Sequence, residues 1–231
     1  MCLLSRVSGL VVFLDVASDD ILKRLAQMKV SRIVGQEDNV PMDDILAYRQ
    51  RFYECCYDVR VLCEANEAPE SITAKVADAL LAYHTTGSFV STRGYASKER
   101  FNDVVLKGLA PDGGLFVPNS IPSLTLKQWQ RMIGMPYSEL ARRVLETWIH
   151  PSDIHPAATL REMTSQAYSA DNFGSSNCFP VVHLERNLYM SELFHGPTAS
   201  FKDAALQIMP RFFRHAQLQT LNESTALTTS K

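Results

Sequence analysis

Apolar residues in this chain change their spacing several times, and each change marks an element. Leu10 to Val16 is a short, β-branched run that suits a buried strand. Behind it, Ser18 or Asp19 can cap a helix whose Ile21, Leu22, Leu25 and Met28 share one face. Residues 31–40 are polar, as in a loop. A second helix is predicted from Met42 to Asp58, with Ile45, Leu46, Phe52, Tyr53 and Cys56 apolar. Arg60 to Cys63 reads as a short strand, and Pro69 opens a third helix carrying Ile72, Val76, Ala79, Leu80 and Tyr83. After a polar linker at 84–88, a helix is predicted from Ser97 to Gly108, with Phe101, Val104 and Val105 apolar. Asp112-Gly113-Gly114 is a tight turn before a buried strand. Three apolar helical faces come next, all expected to pack a core. They are Leu124, Trp129, Met132 and Ile133, then Tyr137, Leu140, Val144, Leu145 and Trp148, then Leu160, Met163 and Ala167. Glu185-Arg186-Asn187 separates two strand-like runs, Val181–Leu184 and Leu188–Leu193, as a hairpin turn does.

The most informative segment is His195 to Asp203. Gly196-Pro197 makes a turn, and Phe201, Ala205, Ile208, Met209 and Phe212 then follow helical spacing. Lys202 therefore falls in the first turn of a helix, whose N-terminus already carries partial positive charge. Together with burial, that setting favours the neutral amine, which can attack a carbonyl. A surface lysine beside a turn is the alternative. His195 is expected to orient backbone, and Asp203 to support the helix N-terminus. The helical spacing fades near His215, and residues 216–231 read as a disordered, solvated tail.

Composition narrows the possibilities. The chain has 231 residues, 46% hydrophobic and 21% charged, which is ordinary for a globular protein. A net charge of −2 provides no basic footprint for nucleic acid and no polybasic membrane patch. The five cysteines form no metal-spaced cluster, so no metal site is expected, and buried free thiols in a reducing compartment are the predicted state. Met1 to Ala17 has an Arg6 and an apolar run, but Asp15 interrupts it, which disfavours a secretory signal. An intracellular, cytoplasmic location is expected.

Glu192 to Asp203, Glu-Leu-Phe-His-Gly-Pro-Thr-x-x-Phe-Lys-Asp, resembles the pyridoxal-phosphate lysine motif of threonine synthases. Phe89-Val90-Ser91-Thr92-Arg93-Gly94 and Leu109 to Pro118 are similar to the N-terminal portion of the same family. Residues 8–83 resemble the C-terminal half of shikimate kinases, with Arg32 at the lid position and Arg49 and Tyr53 on the helix after it. That order resembles the two-domain threonine-synthase-like proteins, here truncated at both ends.

The resemblance implies an α/β fold: a partial P-loop (shikimate-kinase-like) sheet at 8–83 and a linker at 84–88. A mostly helical threonine synthase N-terminal domain at 89–170 and the start of a fold-type II pyridoxal-phosphate domain at 171–215 complete it. It implies a pyridoxal-phosphate-dependent lyase acting on O-phosphohomoserine-type substrates, with Lys202 as catalytic and cofactor-binding residue. Ser91, Thr92 and Arg93 either bind the substrate phosphate or cap the following helix. No Gly-x-x-x-x-Gly-Lys-Ser/Thr occurs, which excludes kinase chemistry. No Gly follows Gly196, so the family's glycine-rich phosphate loop is not among these residues. The expectation is a chain inactive by itself, with a non-catalytic interaction module or a partner of a longer subunit as the alternative.

Overall fold

The computed structural model describes residues 9–27, 40–83 and 86–229. Arg32 lies outside the described residues, as do parts of the 84–88 linker. The chain splits into two compact units, Met1–Thr85 with His155–Ala158, and Thr86–Ile154 with Thr159–Lys231.

In the first unit, β1 (Val12–Asp15) leads into α1 (Ser18–Gln27) and α2 (Met42–Tyr53), and the chain returns as β2 (Val59–Leu62) before α3 (Pro69–Tyr83). The two strands pair in parallel, Val12 opposite Val59 and Asp15 opposite Leu62. β2 alternates buried and half-buried positions, so Val59 and Val61 enter the core with Ile45, Tyr57 and Cys63. Asp15 is buried and pairs with Arg60 on the neighbouring strand. Glu67 receives Lys75 at 2.7 Å and the Ser71 hydroxyl at 2.5 Å, and these bonds hold its carboxyl down at about 2. Cys55, Cys63 and Cys178 are free thiols, but Cys56 is disulfide-bonded, against the expectation from sequence. Its partner is not among the described residues; tertiary contact rather than local spacing decides which thiols meet.

The second unit begins with β3 (Ser88–Ser91), β4 (Glu99–Arg100), α4 (Phe101–Lys107) and β5 (Phe116–Pro118). Its sheet is antiparallel, with β3 between β4 and β5. α5 (Leu126–Gln130), α6 (Tyr137–Leu145), α7 (Ala157–Ala167) and α8 (Ala170–Phe173) follow, then a hairpin of β6 (Val181–Glu185) and β7 (Leu188–Ser191), and finally α9 (Asp203–Leu206) and α10 (Met209–Thr229). The core gathers Leu160, Met163 and Ala167 from α7 with Ile149, Phe173, Phe179, Ile208 and Phe212. Phe101 of α4 meets Phe212 of α10 edge to face at 5.0 Å, joining the two helices.

Several expectations need correction. The helix placed from Ser97 starts at Phe101, because Glu99 and Arg100 are taken into the sheet as β4. The face of Trp129 and Ile133 is not core: Ile133 is 80% exposed, and α5 is a single turn closed by a capping box between Thr125 and Gln128. The helix expected across 201–212 breaks into α9 and α10. Pro210 cannot donate a backbone hydrogen bond within a continuous helix, but it is tolerated in the first turn of a new one. The tail expected to be disordered continues as α10 to Thr229. Its Ala216 is fully buried and Leu218 and Leu221 carry the helical spacing past His215.

Candidate functional site

Lys202 lies at the N-cap of α9, in helical backbone geometry, with its N–H reaching the Ser200 hydroxyl at 3.3 Å. The residues before it form a loop tied to Asp203. That carboxylate is fully buried and accepts from the Thr198 N–H at 2.9 Å and the Thr198 hydroxyl at 3.0 Å. Gly196 backs directly onto it: a Cβ there would stand 2.4 Å from Asp203 Oδ2, so only glycine lets the turn close. Ala199 takes a left-handed φ of 54° inside the same loop. Asp203 thus holds the whole 196–203 turn, a wider role than supporting a helix end.

The lysine side chain itself is exposed, which corrects the burial expected from sequence. No hydrogen bond or ion pair engages its ammonium among the described residues. Phe201 beside it is 64% exposed. His195 also departs from expectation. Its Nε2–H donates to Glu192 Oε2 at 2.7 Å and its ring stacks on Phe194 at 4.6 Å, so its partner is a carboxylate and not backbone.

Ser91, Thr92 and Arg93 sit at the end of β3, and Asp112 organises them. The Ser91 hydroxyl donates to Asp112 Oδ1 at 2.7 Å, and the Tyr95 and Gly114 N–H groups donate to the same carboxylate at 3.0 and 2.9 Å. These bonds, led by Ser91, lower the Asp112 carboxyl below its ordinary range. Thr92 Oγ1 accepts from the Leu115 N–H at 3.0 Å, and Arg93 Nη1 donates to the Asp112 carbonyl at 3.2 Å. A Cβ on Gly114 would lie 2.1 Å from Ser91 Oγ, which explains the second glycine of the turn. The helix-cap alternative fails, since the N-cap of α4 is Arg100 and no side chain of that residue caps it. Ser91 and Thr92 spend their hydroxyls on the turn, and Arg93 is exposed with guanidinium N–H groups left over. No bond joins this corner to the Lys202 loop among the described residues.

Asp112, Thr198 and Glu192 were missed as site-building residues. Asp112 stood in the sequence only as a turn residue; its carboxylate reaches back across the sheet to Ser91, and no local spacing reports that. Chemically, the arrangement offers one accessible primary amine on a fixed loop. That fits the aldehyde of pyridoxal phosphate, because the amine is not committed to an ion pair. Among the described residues no group of three or more metal-ligating side chains occurs, and no helix is long and apolar enough to cross a membrane.

Residues 88–168 match the family model described as Threonine synthase N terminus. The chain is 43% identical over 236 residues to human "Threonine synthase-like 1", covering 97% of this chain and 32% of the relative. It is 40% identical over 127 residues to threonine synthase of Pseudomonas aeruginosa, covering 55% of this chain and 26% of the relative. Among solved structures, pyridoxal-phosphate-bound threonine synthase from Brucella melitensis superposes with a TM-score of 0.53 at 38% identity. That match covers 58% of this chain and 28% of the enzyme's. The chain therefore spans about a third of the length of the curated threonine-synthase-like relatives it matches.

Proposed function

From the premise that this chain is threonine-synthase-like along 97% of its length, we propose that Lys202 is the cofactor-binding and catalytic lysine of a pyridoxal-phosphate-dependent lyase. Its substrates are of the O-phosphohomoserine type, and the 231 residues do not turn them over by themselves. The observation that carries this reading is the intact Glu192–Asp203 segment with an accessible amine on a loop fixed by Asp203, Thr198 and Gly196.

When bound, pyridoxal phosphate supplies the electron sink that lets phosphate leave an amino-acid substrate. Lys202 Nζ would hold the cofactor, and its amine is the group placed to move a proton at the substrate carbons. Asp203 and Thr198 keep the lysine's backbone from drifting while the side chain does this. Arg93 is suited to the substrate phosphate, since a guanidinium binds a phosphate through two parallel N–H bonds. Ser91 and Thr92 serve that binding by shaping the turn that presents Arg93. Inactivity of these residues alone follows from the cofactor's phosphate. Each charge-assisted contact it lacks weakens binding by about 1.5–3 kcal/mol, and every ~1.4 kcal/mol is tenfold in affinity.

The test is phosphate release from O-phosphohomoserine by the whole chain with pyridoxal phosphate, beside Lys202→Ala. The expected result is no release above the Lys202→Ala control. Release above it would overturn the inactivity and leave the assignment of Lys202 standing.

Partnership with a longer subunit is a second reading, favoured by the β6–β7 hairpin. All nine of its residues are exposed, and Val182, Leu184, Leu188 and Met190 fall on one face. Apolar sheet surface of this kind is normally covered. A monomeric chain unfolding in one cooperative step would count against this reading and for the non-catalytic module. A shikimate-kinase-like origin for residues 9–83 is supported by the parallel β1–β2 pair, whose strands are separated in the chain by α1 and α2. For the compartment, the free Cys55, Cys63 and Cys178 favour a reducing, cytoplasmic setting and the disulfide-bonded Cys56 counts against it.

A further inference from the structure

The helix that Lys202 opens is too short to hold itself. α9 is a single turn, and at its end the backbone ladder slips. The Ile208 N–H goes to the Ala205 carbonyl at 3.2 Å and the Arg211 N–H to the Ile208 carbonyl at 3.1 Å. An unbroken helix would send them to Ala204 and Gln207. Those two carbonyls are released at the break between α9 and α10, and side chains take them up. The Tyr168 hydroxyl donates to the Ala204 carbonyl at 2.8 Å. Arg211 Nη1 donates to the Gln207 carbonyl, and its Nη2 reaches the Gln166 carbonyl at the end of α7 at 3.2 Å. Both links run between the C-terminal end of α7 and the break behind the lysine.

Tyr168 is itself fixed. Its N–H continues the α7 ladder to the Thr164 carbonyl at 2.9 Å, its ring meets Tyr137 edge to face at 5.0 Å, and the residue is buried. Burial pushes its hydroxyl well above the ordinary tyrosine range, so it stays a donor at neutral and mildly alkaline pH. On α9, Ala204 is half-buried against the core, while Lys202, Ala205 and Leu206 are exposed. A bond from the core to Ala204 therefore sets which side of α9 faces outward, and that side carries the lysine. The Asp203–Thr198 bonds hold the loop ahead of Lys202; Tyr168 holds the turn behind it.

We infer that Tyr168 is a positioning residue for Lys202: through the Ala204 carbonyl its hydroxyl ties α9 to the end of α7 and fixes the direction in which the lysine leaves the chain. The inference rests on Lys202 being the cofactor lysine. Without the tie a four-residue helix frays, and the amine loses the orientation that lets one lysine react ahead of others.

The experiment uses the whole chain as wild type, Tyr168→Phe and Tyr137→Phe. Tyr168→Phe keeps the ring and removes only the hydroxyl. Tyr137→Phe removes a neighbouring hydroxyl that does not bond to Ala204. Each is reduced with borohydride in the presence of pyridoxal phosphate, and label at Lys202 is compared with label at the exposed Lys98. Amide exchange is followed at Ala205 and Leu206, whose N–H groups bond to the Lys202 carbonyl at 3.0 and 2.9 Å. In Tyr168→Phe these two amides should exchange about fivefold faster, the equivalent of one neutral hydrogen bond, while α7 amides keep wild-type rates. Lys202 should lose its lead over Lys98 in that variant alone. Wild-type exchange and labelling in Tyr168→Phe, or the same losses in Tyr137→Phe, would overturn the inference. Faster exchange in α7 and α9 together would also overturn it and make Tyr168 an ordinary core residue. Wild-type label with no preference for Lys202 would sink the assignment of the lysine, and the exchange rates then decide the tie. Should Tyr168→Phe fail to fold, the wild-type Tyr168 hydroxyl proton decides: slow exchange with solvent supports the tie and fast exchange rejects it.

Discussion

Asp203 and Asp112 each close a turn by pulling backbone N–H groups and a hydroxyl onto one carboxylate. Thr198→Val removes one donor from a fully buried acid and should cost about 1–3 kcal/mol in urea unfolding. An unchanged midpoint would mean the loop is held elsewhere. Glu67 offers a test with a sign. Its carboxyl is depressed to about 2, so its contribution is complete above the unfolded value near 4.3 and is lost as pH falls toward 2. Glu67→Gln should therefore flatten the loss of stability between about pH 4 and 2, read by circular dichroism during acid titration. A variant that follows the wild-type acid curve would show that Lys75 and Ser71 do not set that carboxyl.

At the scale of elements, spacing in the sequence was a good guide wherever one face of a helix meets the core. Leu160, Met163 and Ala167 are buried as their spacing required, and the hairpin turns at Arg186-Asn187. It was a poor guide around α5, where Trp129 and Ile133 stay exposed although their spacing is helical. Pro210 could have warned of the break between α9 and α10, since a missing N–H inside a helix is visible in one residue. The lysine motif was legible as a string; its lock was not, because Thr198, Gly196 and Asp203 act through distances. Phe212 is 6% exposed and joins α10 to Phe101 on α4, so Phe212→Ala should cost about 3–5 kcal/mol and speed amide exchange along α10. Amides of β6 and β7 should exchange far faster than those of α7, as a two-stranded hairpin exposed on every residue is only marginally held. Protection in the hairpin equal to that of α7 would indicate that something covers it.

One unit of the molecule holds a small parallel β-pair with its helices, and the other, larger and mostly helical, carries the lysine-bearing loop ahead of α9 and α10. What the chain does turns on whether that loop still selects one amine out of all the lysines present. Borohydride reduction of the whole purified chain with micromolar pyridoxal phosphate, followed by peptide mass mapping, answers this directly. The expected result is a sub-stoichiometric label that falls first on Lys202 and disappears in Lys202→Ala; near-stoichiometric label there would overturn the weak cofactor binding argued for these residues alone. Label scattered over surface lysines, with Lys202 no more reactive than the others, would contradict the assignment of this residue as the cofactor lysine.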